Sequence, residues 1–268
     1  MRFFFRFVDL ILNFAPIVVL KIQLKMKIRL FTIPNLLTLS NLLCGAFAAV
    51  AVLEYRNLSL ALMLIVAAAV FDFFDGFVAR LLHSSSPIGA ELDSLADNIS
   101  FGLVPAAVAY VVFDEAELPM WFTPWMRYVG IALCFSISAF SALRLAKFNI
   151  DDTQHTEFEG LPTPANSLFF LALGWISEHG TLTWGAYLPV LALAMGLMLV
   201  SPVRMFALKF KGFGWKGNEI RYGFILFSVL LLFFRQVYAI PVIILLYIIV
   251  SAIIWGNSKT QKKGGLND

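Results

Sequence analysis

Between Phe71 and Pro105 the chain reads FDFFDGFVARLLHSSSPIGAELDSLADNISFGLVP. Four aspartates, Asp72, Asp75, Asp93 and Asp97, stand there in mostly apolar surroundings. A charged Asp well inside a membrane span costs at least about 2.5–3.5 kcal/mol on insertion scales. Four together also repel one another unless protons or cations compensate them. Their spacing lets them converge. At about 100° per residue, Asp75 lies about 60° from Asp72, with Gly76 and Ala79 on the same face. On the next segment Gly89, Asp93 and Asp97 recur every four residues and form one stripe. Ser84, Ser85, Ser86 and Pro87 between them read as a helix-breaking turn. The two helices are therefore neighbours, and their acidic faces can oppose one another. Small residues on those faces leave room for a ligand. Such oxygen-only surroundings suit the hard divalent cations Mg2+, Mn2+ or Ca2+. Two ions about 3.5–4 Å apart can clamp a diphosphate and stabilise attacking and leaving oxygens. That is the chemistry of phosphoryl transfer. An acidic helix face also suits a cation transporter, and spacing alone leaves both readings open.

The elements that must position these acids follow from composition. Of 268 residues, 60% are hydrophobic and 14% charged, with mean hydropathy +0.84. A soluble domain carries about 25% charged residues, so this chain cannot cover itself for water. Its apolar runs are continuous rather than alternating, which favours helices over a β-barrel. The expected fold is an all-α polytopic transmembrane bundle of about eight spans: 33–53, 58–82, 96–113, 124–147, 162–178, 183–203, 219–236 and 238–256. With a cytoplasmic N-terminus, only Arg56, Arg127 and Arg235 of the twenty Lys and Arg residues lie outside. Both termini are then cytoplasmic.

Residues 1–30 form a basic, apolar flank. It reads as an interfacial helix, or as sequence upstream of a natural start at Met26. The acids fall within a core over 31–210. Residues 211–258 read as a C-terminal helix pair and 259–268 as a disordered tail. Cys44 and Cys134 lie in apolar runs, and the three histidines are scattered, so no zinc site is expected. No nucleic-acid motif is present.

The pattern Asp72-x2-Asp75-Gly76-x2-Ala79-Arg80-x8-Gly89-x3-Asp93-x3-Asp97 resembles the signature of the CDP-alcohol phosphatidyltransferase family, with all eight fixed positions filled. Further likeness lies in Ile33–Asn41, in Glu91–Asp97, in Ser100-Phe101-Gly102, in Arg144–Asn149 and in Gly160–Pro164. These surroundings resemble the integral-membrane members that use serine as acceptor. Lys147 departs from them, since many relatives carry Arg there. It keeps the charge but loses the bidentate fork.

The resemblance implies a metal-dependent transfer of a phosphatidyl group from CDP-diacylglycerol to L-serine, with release of CMP. Glycerol 3-phosphate or inositol phosphate are the alternative acceptors. Asp72, Asp75, Asp93 and Asp97 would hold two divalent ions, Mg2+ or Mn2+, with Ca2+ as a further option. Asp97 would also be the general base. Gly76, Ala79, Arg80, Ser86 and Gly89 would contact the CDP-lipid, joined by Thr38, Ser40 and Asn41 from the first span. Arg144, Lys147 and Asn149 are the candidates for holding serine; Arg144 and Lys147 share a face and serve equally as positive-inside anchors. The acidic loop from Asp151 to Glu159 is placed to act as a lid. A homodimer in a bacterial inner membrane, with the site on the cytoplasmic side, completes the expectation.

Overall fold

In the computed structural model the described residues are 30–84, 86–150, 158–180, 184–206, 214 and 218–264, with side chains described as far as Gly256. The N-terminal flank before residue 30, residues 151–157 of the loop and residues 265–268 of the tail lie outside them.

Helix α1 (Ile33–Leu53) and helix α2 (Leu58–Leu81) pack side by side. Helix α3 (Pro87–Asp97) runs through a wide turn at Asn98–Leu103 into α4 (Val104–Asp114). Then follow α5 (Pro124–Ile150), α6 (Thr163–Glu178), α7 (Leu188–Leu199), α8 (Glu219–Arg235) and α9 (Ala239–Gly264). Strands β1 (Phe158–Glu159) and β2 (Arg204–Met205) pair antiparallel, with Phe158 opposite Met205.

Local chemistry sets these boundaries. Thr32, Asn57 and Ser86 cap α1, α2 and α3, each side chain accepting a backbone N–H three residues on. Prolines at 34, 87, 164 and 189 occupy first turns, where their missing N–H costs nothing. After α2, His83 takes a left-handed backbone with φ +49°, and the serines and Pro87 prevent continuation. Asn98–Leu103 winds wider than an α-helix. Pro105 has no N–H for the carbonyl of Phe101, and its ring crowds that carbonyl. A local widening is one way a helix accommodates this.

Among the described residues, five stretches are long and apolar enough to cross a membrane: Ile33–Leu53, Leu58–Leu81, Pro87–Asp114, Pro124–Ile150 and Glu219–Gly256. The last is a helical hairpin, α8 and α9. The Phe224 and Tyr247 rings lie 5.9 Å apart, and Phe206 contacts both. In one continuous helix Phe224 and Tyr247 would stand about 35 Å apart. The expected third span begins earlier than 96, at Pro87. The expected span at 183–203 is shorter. Its 12-residue α7 rises only about 18 Å, against roughly 30 Å of hydrocarbon core. Turn residues at Trp184-Gly185 and Ser201-Pro202 trim it. The last helix continues to Gly264, since no Gly or Pro interrupts 257–263.

Helix α4 forms the centre. The stretch containing it is 67% buried, against 22–33% for the other four. Val104, Ala106, Ala107, Val108, Ala109, Val111 and Phe113 are enclosed from every side, as befits a helix apolar all round. In lipid, helices associate through close packing rather than flight from water. Gly45 of α1 illustrates this: a Cβ there would lie 2.9 Å from the Cα of Ser100. Gly160, φ +76°, is constrained more tightly still. Its Cβ would fall 2.1 Å from the Leu199 carbonyl oxygen.

Candidate active site

The site lies where the C-terminal half of α2, the first half of α1 and the length of α3 meet. Asp72 and Asp75 come from α2, Asp93 and Asp97 from α3. Asp72, Asp75 and Asp93 each place one carboxylate oxygen within 4.8 Å of the others. The Asp72 carboxyl also reaches Asp97 as well as Asp93 at hydrogen-bonding range. All four acids of the stripe pair thus converge. One buried oxygen of Asp93 has no hydrogen-bond partner. Among the described residues no lysine or arginine pairs with any of them. Carboxylates packed this closely need a proton or a cation between them. An all-oxygen, acidic donor set with an unpartnered oxygen fits a divalent cation.

Helix α1 supplies the groups that aim these acids. The Thr38 hydroxyl donates to Asp75 Oδ2 at 2.5 Å, and Asn41 Nδ2 donates to Asp97 Oδ1 at 3.0 Å. Both are buried. The three-residue spacing of Thr38 and Asn41 puts them on one face, above one acid from each acidic helix. Ser100 ties the arrangement from the other side by donating to the Asn41 carbonyl at 3.1 Å. These polar contacts fix which carboxylate oxygens remain available for a cation.

Beside the acids opens a cavity of about 210 Å³. Its walls include Gly76, Ala79, Arg80, Ser86 and Gly89, the residues the resemblance implies, together with Thr38, Asp75 and Asp93. Arg80 folds back along its own helix. A Cβ on Gly76 would lie 3.5 Å from its Nη1. A Cβ on Gly89 would press on Asn35 Oδ1 and Ser86 Oγ, both at 3.2 Å. Ser86 caps α3, so the positive end of that helix faces the cavity, about two turns below Asp93. A guanidinium and a helix N-terminus on one side, with acids on the other, make a cradle for a metal-bound anion such as a diphosphate.

Other candidates lie elsewhere. The Ser40 hydroxyl bonds back to the Leu36 carbonyl and does not line the cavity. Lys147 pairs with Glu159 at 2.9 Å. Asn149 donates to Ser94 at 2.9 Å, binding the end of α5 to the acidic helix. Arg144 points inward, with Nη1 3.2 Å from Thr163 Oγ1 and Nε buried without a partner. It lies within electrostatic range of Asp97. Two polar cavity residues, Asn35 and Ser84, were not among the sequence candidates. Asn35 stands one turn before Thr38 on the same face, a signal the spacing did offer. Ser84 offered none, because it lies in the turn.

The profile of the family described as CDP-alcohol phosphatidyltransferase matches residues 31–201. This stretch contains every residue of the acidic cluster and of the cavity. The chain is 34% identical over 181 residues to a CDP-diacylglycerol–serine O-phosphatidyltransferase of Bacillus subtilis (strain 168), covering 68% of this chain and 90% of the relative. It is 30% identical over 232 residues to the Helicobacter pylori (strain ATCC 700392 / 26695) protein of the same name, covering 84% and 92%. A Mycobacterium tuberculosis (strain ATCC 25618 / H37Rv) protein of that name is 35% identical over 188 residues, covering 66% of this chain and 62% of the relative. Paired acidic helices, a cradle suited to a diphosphate and a match across most of the chain agree: this chain belongs to the CDP-alcohol phosphatidyltransferase family.

Proposed function

We propose that the protein transfers a phosphatidyl group from CDP-diacylglycerol to L-serine, releasing CMP and forming phosphatidylserine. The observation that carries this reading is the convergence of four carboxylates from two helices beside a cavity lined by Arg80 and the Ser86-capped end of α3. The names of the similar proteins support serine as acceptor.

Asp72, Asp75, Asp93 and Asp97 would hold two divalent cations, Mg2+ or Mn2+, which when bound neutralise the diphosphate and the charge on departing CMP. Arg80 and the first turn of α3 bind and orient the diphosphate. Gly76, Ala79 and Gly89 keep the cavity open to the nucleotide. Asp97 takes the proton from the serine hydroxyl. The freed oxygen forms its bond to the lipid-side phosphorus as the bond from that phosphorus to the CMP oxygen breaks. Thr38 and Asn41 hold Asp75 and Asp97 in register for this step. No protein nucleophile takes part, since the acceptor attacks directly.

Serine fits the charge beside the site better than a phosphorylated acceptor. Lys147 is already paired with Glu159, which leaves Arg144 as the inward-facing cation of the acceptor candidates. A single cation matches one carboxylate, whereas a phosphomonoester calls for more. The basic residues flanking the site support a cytoplasmic active site, in a bacterial inner membrane. CDP-diacylglycerol enters sideways from the bilayer, and two copies assemble as a homodimer.

The test uses purified protein with CDP-diacylglycerol, a panel of alcohols and a metal series, with released CMP measured. Serine-dependent CMP release that requires Mg2+ or Mn2+ is expected. Release with glycerol 3-phosphate but not serine would reassign the acceptor. Cation flux in liposomes without CMP release would overturn the reading.

A further inference from the structure

Next to Asp97 in the fold lies a second group of polar side chains, of which only Arg144 has so far been given a part. Asn166 is fully buried, and neither its amide nitrogen nor its amide oxygen has a partner. Ser141 is fully buried with an unpartnered hydroxyl. Asn98 Oδ1 and Arg144 Nε are likewise buried and unpartnered. Such atoms are rare in folded proteins, because each has given up water for nothing.

They come from three elements that meet. Asn98 and Ser141 face each other across Gly102, where an added Cβ would sit 2.7 Å from Asn98 Oδ1 and 3.0 Å from Ser141 Cβ. Arg144 stands one turn beyond Ser141 and reaches Thr163 across to α6. Asn166 is one turn beyond Thr163. Asn98 follows Asp97 directly in the chain. Arg144 also lines a small cavity with Lys147, Glu159 and Leu199.

We infer that Asn98, Ser141, Arg144, Thr163 and Asn166 form the pocket that receives the amino-acid head of the acceptor. This rests on the serine-transfer reading. The donors and acceptors match a small zwitterion. Arg144 Nε and the hydroxyl of Thr163 offer donors to a carboxylate. The amide oxygens of Asn98 and Asn166 offer acceptors to an ammonium group. The acceptor's own hydroxyl is then directed to Asp97, beside Asn98. An amino alcohol without a carboxylate leaves Arg144 unpartnered. A phosphorylated polyol brings more negative charge than one guanidinium balances and leaves the amide oxygens without a donor. The pocket therefore discriminates by unsatisfied groups as well as by fit.

The experiment compares wild type with Ser141→Ala, Asn166→Ala and Arg144→Lys, the last keeping the charge but removing Nε. CMP release is measured while serine and CDP-diacylglycerol are titrated separately. Serine-dependent thermal stabilisation is followed in detergent. The expected result is a rise in KM for serine of about tenfold or more, with KM for CDP-diacylglycerol unchanged and serine-dependent stabilisation lost. Ser141→Ala removes one oxygen and guards against a folding failure in the other two. Variants that melt lower but keep the serine KM overturn the pocket and make these groups structural. Wild-type protein that releases no CMP with serine overturns the acceptor reading, and the pocket with it. Wild-type turnover with unaltered variants overturns the pocket alone.

Discussion

At the end of the bundle where α2 begins and α4 finishes, Asp114 stands between two arginines. Arg127 Nη2 lies 2.5 Å from one of its oxygens, and Arg56 Nη2 lies 3.6 Å from the other. Glu115 joins Arg56 at 3.8 Å. About 26 Å of helix away, Asp72, Asp75, Asp93 and Asp97 face one another, with no arginine or lysine of the described residues pairing with them. Arg80 is in the next turn, yet it folds along Gly76 toward the cavity instead of pairing with an acid. The chain neutralises acids where they only need to be held in place. It leaves them uncompensated where an outside cation has work to do.

This contrast breaks most visibly at Asp97. Asp97→Asn should lower CMP release by about 10²–10⁴-fold, the usual worth of a positioned general base. Asp93→Asn should fall as far, with both proteins still folded by circular dichroism. Retained activity in both would remove the distinction between the ends. Next come the residues behind the acids. Thr38→Val and Asn41→Ala should raise the Mg2+ or Mn2+ concentration for half-maximal rate by about 10–100-fold, as loss of ligand-orienting partners does. A metal titration of CMP release reads this directly. Arg80→Ala should act on the nucleotide side. It should raise KM for CDP-diacylglycerol about tenfold, in line with a lost charge-assisted hydrogen bond, while the metal dependence stays unaltered. The smallest effect belongs to the paired end. Arg127→Ala should cost at most about 1 kcal/mol in stability and leave CMP release unchanged. If it impaired transfer as Asp93→Asn does, the two ends would not differ as described.

Much of this was legible in the residues. The four-residue recurrence of Gly89, Asp93 and Asp97, and the shared face of Asp72, Asp75, Gly76 and Ala79, place the cluster and one wall of the cavity, because helical periodicity alone decides which side chains sit together. Apolar runs gave the helices for the same reason. What was not legible depends on which surfaces meet. Thr38 pairing with Asp75, and Asn41 with Asp97, required the docking of α1 on both acidic helices. Ser40 lies between them in sequence but turns to its own helix, a choice made by rotation of one side chain. Lys147 looked equivalent to Arg144 at three-residue spacing. The strand pair carrying Glu159 separates them, by pairing with Lys147 and leaving Arg144 inward. The buried polar atoms of Ser141 and Asn166 gave no signal, since Ser and Asn in an apolar helix are ordinary until their surroundings are known.

The wide turn at Asn98–Leu103 has one more outcome. A single added residue rotates everything after it by about 100° relative to a regular helix. The stretch Pro87–Asp114 therefore sets the direction of its acids separately from that of Val108, which packs on Gly174, and of Phe113, which packs on Gly130. Removing one residue from 98–103 would leave each half perfectly helical. It would also throw the two halves out of phase, so that either the direction of Asp93 and Asp97 or the packing of Val108 and Phe113 on those glycines would be lost.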